Sequence, residues 1–355
     1  MANIRDVARH AGVSITTVSV TLSESRPVSA ETRKRVWAAV EAVGYSPNAF
    51  ARGLRSGRSR LIGVAICDIS NPFWAAMVRV VEKVAIAAGY SIVLCNTDDD
   101  PARELAVLEQ LRVQQVAGIL LTPLGRGAAY LRQLERPDMP PIVTLDHKVA
   151  GLSRDFVGVD NRAACRMLTE YLLRLGHRRI GLLGGTLGLW TSEEREAGFR
   201  ETMKDAGVEI DPALCISADY NGDLARTSAI ALLTQPNRPT AILAANNVMA
   251  LGALQAVVDL GFRCPADVSL AGIDDVPWSH LVRPRITTAS QPIEEISKVA
   301  IEWLLERISG AEVPARDRIF QPKMFIGESC ADLRPGAASR SRRPREVERA
   351  AFRAS

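Results

Sequence analysis

The 355-residue chain holds only four histidines, His10, His147, His177 and His280, and six cysteines with no pair at CxxC spacing. A zinc centre needs clustered sulfur and imidazole, and a secreted disulfide scaffold needs paired thiols, so neither is expected. Cys67, Cys95, Cys165, Cys215, Cys264 and Cys330 are scattered, mostly in apolar runs such as YSIVLCN, where a thiol behaves as a small hydrophobe. No apolar run approaches the roughly 20 residues of a membrane span. MANIRDVARH lacks an apolar core and a small-residue cleavage site, so no signal peptide is expected and the chain is assigned to the cytoplasm. There is no GxSxG elbow, HExxH pair or Walker sequence, and the glycine-rich GLLGGTLG lacks GxGxxG spacing. These absences argue against an enzyme, and no cofactor or metal is expected.

What is present is a separation of charge. Residues 1–60 carry ten Lys/Arg against four Asp/Glu, and residues 334–355 carry seven Arg against two Glu. The total is only +4, so the middle of the chain is acidic. A basic head on an acidic body suggests that the head meets a polyanion while the body does something else.

From Leu61 the pattern is of short apolar runs: LIGVAICDI (61–69), YSIVLCNT (90–97), VAGILLTPL (116–124), PPIVTLDH (140–147), IGLLGG (180–185), AILAAN (241–246) and VSLAGID (268–274). Amphipathic helical segments separate most of them. That alternation indicates parallel sheets covered on both faces, and the series is long enough for two, with a boundary near Asp160. Ligands of such folds bind outside the carboxyl ends of strands, which directs attention to DISNPF, NTDDD, LDH, GGTLGLW, ANN and GIDD. Residues 48–60 are basic, glycine-punctuated and weakly apolar, as a linker would be. Residues 331–355 lack core formers and leucine heptads, so a basic, disordered tail is expected.

The first 47 residues spell three short helices. Asn3 and Asp6 form a capping pair, Gly12 stops the first helix, and Ser14 caps a second with Val18 and Leu22 inward. A third starts at Ser29, turns Val36, Val40 and Val43 inward, and stops at Gly44. The outer face of the second helix carries Ser14, Ile15, Thr16, Thr17, Ser19 and Val20, where a solvated helix would carry Lys and Glu. Hydroxyls and aliphatics suit the DNA major groove, where they meet phosphates, base edges and thymine methyls.

The segments DVARHAGVSITTVSVTL and VSAETRKRVWAAVEAVGYSPNAFARGLRSGRS resemble the DNA-binding head of the lactose- and galactose-repressor family. LIGVAICDISNPFW, VAGILL, VGVDN, LGHRRIGLLGG, REAGFR, ALGAL and SLAGIDD followed by RITTASQP resemble the same family's core, in its order. The resemblance implies an all-α helix-turn-helix head plus an α/β core of two doubly wound parallel-sheet subdomains of periplasmic-binding-protein type. It divides the chain into a head (1–47), a hinge (48–60), an effector-binding and dimerisation core (61–330) and the tail.

Individual roles follow from the resemblance alone. Ser14, Thr17, Ser19, Ser29, Tyr45 and Asn48 fall where members contact phosphates or position the head, and Ile15, Thr16 and Val20 where they read bases. Val20 stands where several members carry arginine. Ala51, Leu54 and Arg55 match a hinge helix that forms on DNA, with Leu54 as a wedge into the minor groove. For the effector cleft the resemblance implies Phe73, Trp74, Asp146, Asp160, Trp190, Arg195, Tyr220, Asn247 and Asp274. Asn247 stands where the family usually has aspartate, which removes a negative charge beside Arg195 and points to a sugar acid or other anion more than to a neutral sugar. Gly327 stands where the family more often has arginine, which bears on subunit contacts near Glu328. The expected protein is a homodimeric repressor of a palindromic operator in double-stranded DNA, responsive to a sugar or sugar acid. An architectural DNA protein would account for the head and tail but not for the cleft-bearing core. An exported solute-binding protein would not carry this head.

Overall fold

The computed structural model of the chain describes residues 2–23, 26–45, 59–276, 279–281 and 283–335. The hinge candidates Asn48, Ala51, Leu54 and Arg55, and the tail from 336 onward, lie outside the described residues.

In the head, α1 (Ile4–Ala11) begins with a reciprocal cap: Asn3 accepts from the Arg5 and Asp6 amides, and the Asn3 amide donates to Asp6 at 3.0 Å. Gly12 ends it at φ 61°, a left-handed backbone that favours glycine. Ser14 Oγ accepts from the Thr17 amide at 3.0 Å and starts α2 (Ile15–Ser23). Ser29 caps α3 (Ala30–Ala42) in the same way through Thr32. None of the three would be stable alone at this length. They pool Val7, Ala11, Val18, Leu22, Val36 and Val40 into one small core. Arg35 on α3 donates Nη2 to the Ala11 carbonyl at 2.5 Å and the Gly12 carbonyl at 3.2 Å, which fixes the turn between the first two helices.

The body is built from two six-stranded sheets. The first orders its strands β11-β5-β4-β3-β1-β2, namely Asp317–Phe320, Asp155–Val159, Ile142–Leu145, Gly118–Leu121, Leu61–Ile66 and Ser91–Asn96. All its pairings are parallel. The second orders β12-β10-β9-β8-β6-β7, namely Lys323–Phe325, Thr287–Ser290, Ser269–Ile273, Ala241–Ala244, Ile180–Gly184 and Cys215–Ser217. Here only the β10–β12 pair is antiparallel.

Helices cover both faces of each sheet, which is why the central strands are near-continuous in apolar residues. On the first sheet, α4 (Pro72–Ala87) and α11 (Ile293–Ile308) bury Met77, Val81, Ala300, Ile301 and Leu304 on one face. On the other face, α5 (Pro101–Val113) and α6 (Ala128–Leu134) bury Leu108, Leu111 and Leu134. The second sheet is sandwiched between α7 (Asn161–Arg174) with α8 (Trp190–Asp205) and α9 (Gly222–Leu233) with α10 (Asn247–Asp259). Each fully buried Leu, Ile or Met contributes about 1.5–3 kcal/mol relative to exposure.

The chain passes between the sheets three times: after Val159, again between Ser290 and Ile293, and finally between Phe320 and Lys323. Asp155, at the start of β5, secures the return. Its buried carboxylate accepts from Arg307 Nε (3.0 Å) and Nη2 (2.8 Å), and from Arg316 Nη2 (3.1 Å) and the Arg316 amide (2.9 Å). Residues 331–335, assigned from composition to a disordered tail, are instead tied down. The Leu333 amide donates to Leu175 O at 2.7 Å, and His177 Nε2 lies 3.1 Å from Ala331 O.

Candidate functional site

A cleft opens where the carboxyl ends of both sheets face each other, enclosing about 530 Å³ of space, part of it open to solvent. Each wall residue is placed by the strand or helix before it. Cys67 and Asp68 follow β1, Asp99 follows β2, and Asp146 and His147 follow β4. From the second sheet come Tyr220 after β7, Asn246 after β8, Asp274 after β9 and Gln291 after β10, with Arg195 on α8 and Val248 on α10. Asn71 caps α4 by accepting from the Phe73 amide, Pro72 opens the helix, and Phe73 and Trp74 reach the cavity. Four wall residues adopt left-handed backbone: Asp99 (φ 54°), Asp146 (63°), Tyr220 (54°) and Asp274 (67°). Non-glycine residues pay for that conformation, and such outliers concentrate at ligand sites.

Arg195 is only 4% exposed although it sits in the acidic run TSEEREAGFR. Its Nε donates to Asn161 Oδ1 at 2.7 Å and its Nη1 to Ala245 O at 2.6 Å, while the guanidinium lies 5.7 Å from the Tyr220 ring. The charge is therefore held by neutral acceptors and has no carboxylate partner within ion-pair distance among the described residues. The Tyr220 hydroxyl sits 3.0 Å from both Thr191 Oγ1 and Ser192 Oγ, and Thr191 Oγ1 lies 3.0 Å from His147 Nδ1 on the opposite wall. Burial pushes the His147 imidazole toward its neutral form. Gly185 explains part of the glycine-rich run: a Cβ there would come 2.1 Å from Tyr220 Cζ, so only glycine lets the ring lie against the end of β6.

Of the residues expected in the cleft, Phe73, Trp74, Asp146, Arg195, Tyr220 and Asp274 line this one cavity. Three do not. Asp160 is spent on capping α7 through the Ala163 amide at 2.8 Å. Trp190 packs edge-on against Phe156 of the first sheet, with centroids 5.6 Å apart. Asn247 turns to Asn71, donating Nδ2 to its Oδ1 at 2.9 Å, and borders a separate apolar hollow. Wall residues that pattern reading did not single out include His147, Gln291, Asn246 and Asp99. His147, Asn246 and Asp99 lie in loops flagged from the sequence as LDH, ANN and NTDDD, but nothing local distinguishes them from their neighbours.

The expectation of an acidic effector does not fit these surroundings. Losing one carboxylate at position 247 leaves four others, Asp68, Asp99, Asp146 and Asp274, against one guanidinium. Burial, reinforced by Asp146 and opposed by Arg195, pushes the Asp274 carboxyl up to about 6. Its Oδ2 accepts from Gln291 Nε2 at 3.2 Å and its Oδ1 has no partner among the described residues.

In the head, Ser14 Oγ also lies 2.9 Å from Thr17 Oγ1, so both hydroxyls belong to the helix cap. Ile15 is 41% exposed and Thr16 is exposed, while Ser19 and Val20 are half-buried. Ser29 caps α3, and the half-buried Tyr45 packs against the head core. Gly327 is held by backbone: a Cβ there would sit 2.2 Å from Arg285 O, so no side chain fits where the family more often has arginine. Among the described residues no helix is long and apolar enough to cross a membrane, and no cluster of metal-ligating side chains occurs.

Comparison with known proteins agrees with this geometry. Residues 3–48 match the family described as bacterial regulatory proteins, lacI family, and residues 169–330 match the periplasmic binding protein-like domain. The chain is 34% identical over 333 residues to the HTH-type transcriptional repressor PurR of Aliivibrio salmonicida, covering 94% of this chain and all of that one. Among solved structures, the lac repressor dimer bound to operator and the anti-inducer ONPF superposes with a TM-score of 0.81 at 26% identity, covering 93% of this chain and 99% of that one. The transcriptional regulator CelR in complex with cellobiose gives 0.70 at 27% identity, over 93% of this chain and all of that one.

Proposed function

The chain belongs to the lacI family of bacterial regulatory proteins, and from that premise we propose that it is a homodimeric repressor whose grip on a palindromic operator is set by a polyhydroxylated, sugar-like molecule in the cleft. The observation that carries the reading is the cleft itself. Polar groups from the carboxyl ends of two sheets converge on one cavity, and three chain passages join its walls. Carboxylates and side-chain amides are suited to sugar hydroxyls, and Phe73, Trp74 and Tyr220 offer apolar ring faces. The solved complex of the related regulator CelR with cellobiose supports a sugar.

In this reading α2 enters the major groove. Ser14, Thr17 and Ser19 meet phosphates there, and Ile15, Thr16 and Val20 meet base edges. Val20 offers a methyl surface and no guanidinium, so the position favours thymine methyls over a bidentate guanine contact. Two heads must face half-sites on one side of the duplex, which requires a dimer. The effector acts as a coupling free energy, because changing the angle between the subdomains changes the spacing of the two hinges and whether Leu54 of each can wedge. Removing a Leu54 side chain therefore tests the hinge.

Selection from a random double-stranded DNA pool, with the full chain and with Leu54→Ala, tests the proposal. The expected result is a palindrome with a kinkable central step, enriched by the unaltered chain and largely lost with the variant. Enrichment of no motif would overturn it. Release or tightening on the selected operator, with pooled sugars, sugar acids and nucleobases, then identifies the effector class.

A further inference from the structure

Three carboxylates stand on the first-sheet wall of the cleft: Asp68 after β1, Asp99 after β2 and Asp146 after β4. None pairs with a lysine or arginine among the described residues, although the neighbouring Asp98 pairs with Arg103. Asp68 is satisfied locally by the Ser70 amide and hydroxyl. Asp146 is different. It is only 8% exposed, its carboxylate accepts no hydrogen bond among the described residues, the one charged group within 4 Å is His147 Nε2 at 3.7 Å, and Arg195 acts on it from across the cleft. Its oxygens are not sealed off but reach the open cleft, so a donor entering the cleft can satisfy them. His147 is a poor candidate, because burial favours its uncharged form.

Among the described residues the one arginine or lysine lining the cavity sits on the other wall. Arg195 projects from α8, held by Asn161 and Ala245, and acts electrostatically on Tyr220, Asp274 and, across the cleft, Asp146. Carboxylates thus outnumber the guanidinium: Asp68, Asp99 and Asp146 on the first wall and Asp274 on the second surround one arginine. Phe73 and Trp74 lie on the carboxylate side, so aromatic faces and negative charge occur together, the combination that attracts a cationic nitrogen.

We infer that the effector is a hydroxylated molecule bearing a protonated amino group, with the nitrogen received by Asp146 and Asp99 and the hydroxyls turned toward Arg195 and Asp274. This rests on the sugar-like reading above and narrows it to amino-substituted polyols. A neutral sugar would satisfy the hydrogen bonds but leave the carboxylates unneutralised, and an acid would add to them.

The test uses the full chain and pairs of probes that differ only by exchange of a hydroxyl for an ammonium group: glucose with glucosamine, and sorbitol with 1-amino-1-deoxysorbitol. Glucuronate is the anionic control. Calorimetric titration at low and physiological salt should show the amine of at least one pair binding about tenfold or more tightly than its neutral parent, given the strength of close charge pairs in a part-buried site. Asp146→Asn should abolish that preference. Asp99→Asn, at an exposed position where folding is safe, should reduce it, and high salt should weaken it. If no amine exceeds its parent, or glucuronate binds best, the inference is overturned. The operator selection is independent of these titrations, so a repressor with a neutral effector and a protein that is no repressor give different outcomes.

Discussion

Asn247 on the second subdomain donates its side-chain amide to Asn71 Oδ1 on the first, at 2.9 Å, so the two walls of the cleft are bonded directly at one point. The same Asn71 oxygen accepts from the Phe73 amide and starts α4. Arg126 Nη1 to Gly188 O at 3.2 Å and His147 to Thr191 at 3.0 Å make two further ties across the subdomain boundary.

Asn247→Asp keeps the oxygen that serves the Val248 amide but loses the donor to Asn71, and sets a carboxylate against an oxygen. The expected result is a cleft more open by small-angle scattering, and a stability loss of about 1–3 kcal/mol. An unchanged scattering profile would show that Asn247 does not hold the walls together.

Asp155 accepts four hydrogen bonds from Arg307 and Arg316 while fully buried. Burial works against its charge, yet those bonds hold the carboxyl below its usual range. Asp155→Ala would strand two guanidinium groups against each other and detach β11 from β5. A loss of about 3–5 kcal/mol is expected in denaturant unfolding, as when one partner of a buried pair is removed.

The buried Glu104 takes the Leu124 amide at 2.6 Å and the Tyr130 hydroxyl, and burial nonetheless raises its carboxyl from 4.5 to about 7. Asp274 rises from 3.8 to about 6. A carboxyl raised on folding binds its proton more tightly in the native state. Its contribution is complete below the unfolded value and is lost as pH rises through the folded one, by an amount on the order of 3 kcal/mol for each. These two carboxyls pull the melting temperature down between about pH 4 and pH 7, a slope opposed by the buried His147 and His177, whose lowered imidazoles gain stability as pH rises toward their unfolded value. Glu104→Gln should flatten the upper part of that slope, and an equal slope in the variant would refute the assignment.

Gly12 combines a left-handed φ of 61° with a close neighbour, since a Cβ there would lie 3.1 Å from Arg35 Nη2. Gly12→Ala should destabilise the head by about 1–2 kcal/mol and weaken operator binding, with the core's unfolding transition unmoved. Differential scanning calorimetry of the full chain separates the two transitions.

The alternation of runs such as VAGILL and AILAAN with helical segments was enough to read two parallel sheets, and the second-helix hydroxyls were enough to suggest the head. Strand ends located the loops of the cleft. What resisted reading was choice within a loop. Asp160 and Asp146 both follow β-strands, yet one oxygen finds the Ala163 amide and the other finds only the cavity, a distinction set by backbone direction after the strand. Arg195 in its acidic run looks like a surface charge, and only the neighbouring Asn161 and the Ala245 carbonyl explain its burial. The resemblance puts Trp190 in the effector cleft, and only Phe156, distant in sequence, shows where its edge packs. Gln291 was invisible because its role depends on a passage between sheets.

The three passages also decide what can be cut from this chain. A fragment spanning the second subdomain without interruption, from Asn161 to Phe325, would carry α11 and β11, whose packing and pairing partners belong to the first sheet. Trimming it at Ser290 instead would remove β12 and leave the outer edge of β10 bare. Neither half has a contiguous gene segment of its own. A genetic exchange of ligand specificity between relatives would therefore have to transfer separate stretches together, or replace cleft residues one at a time.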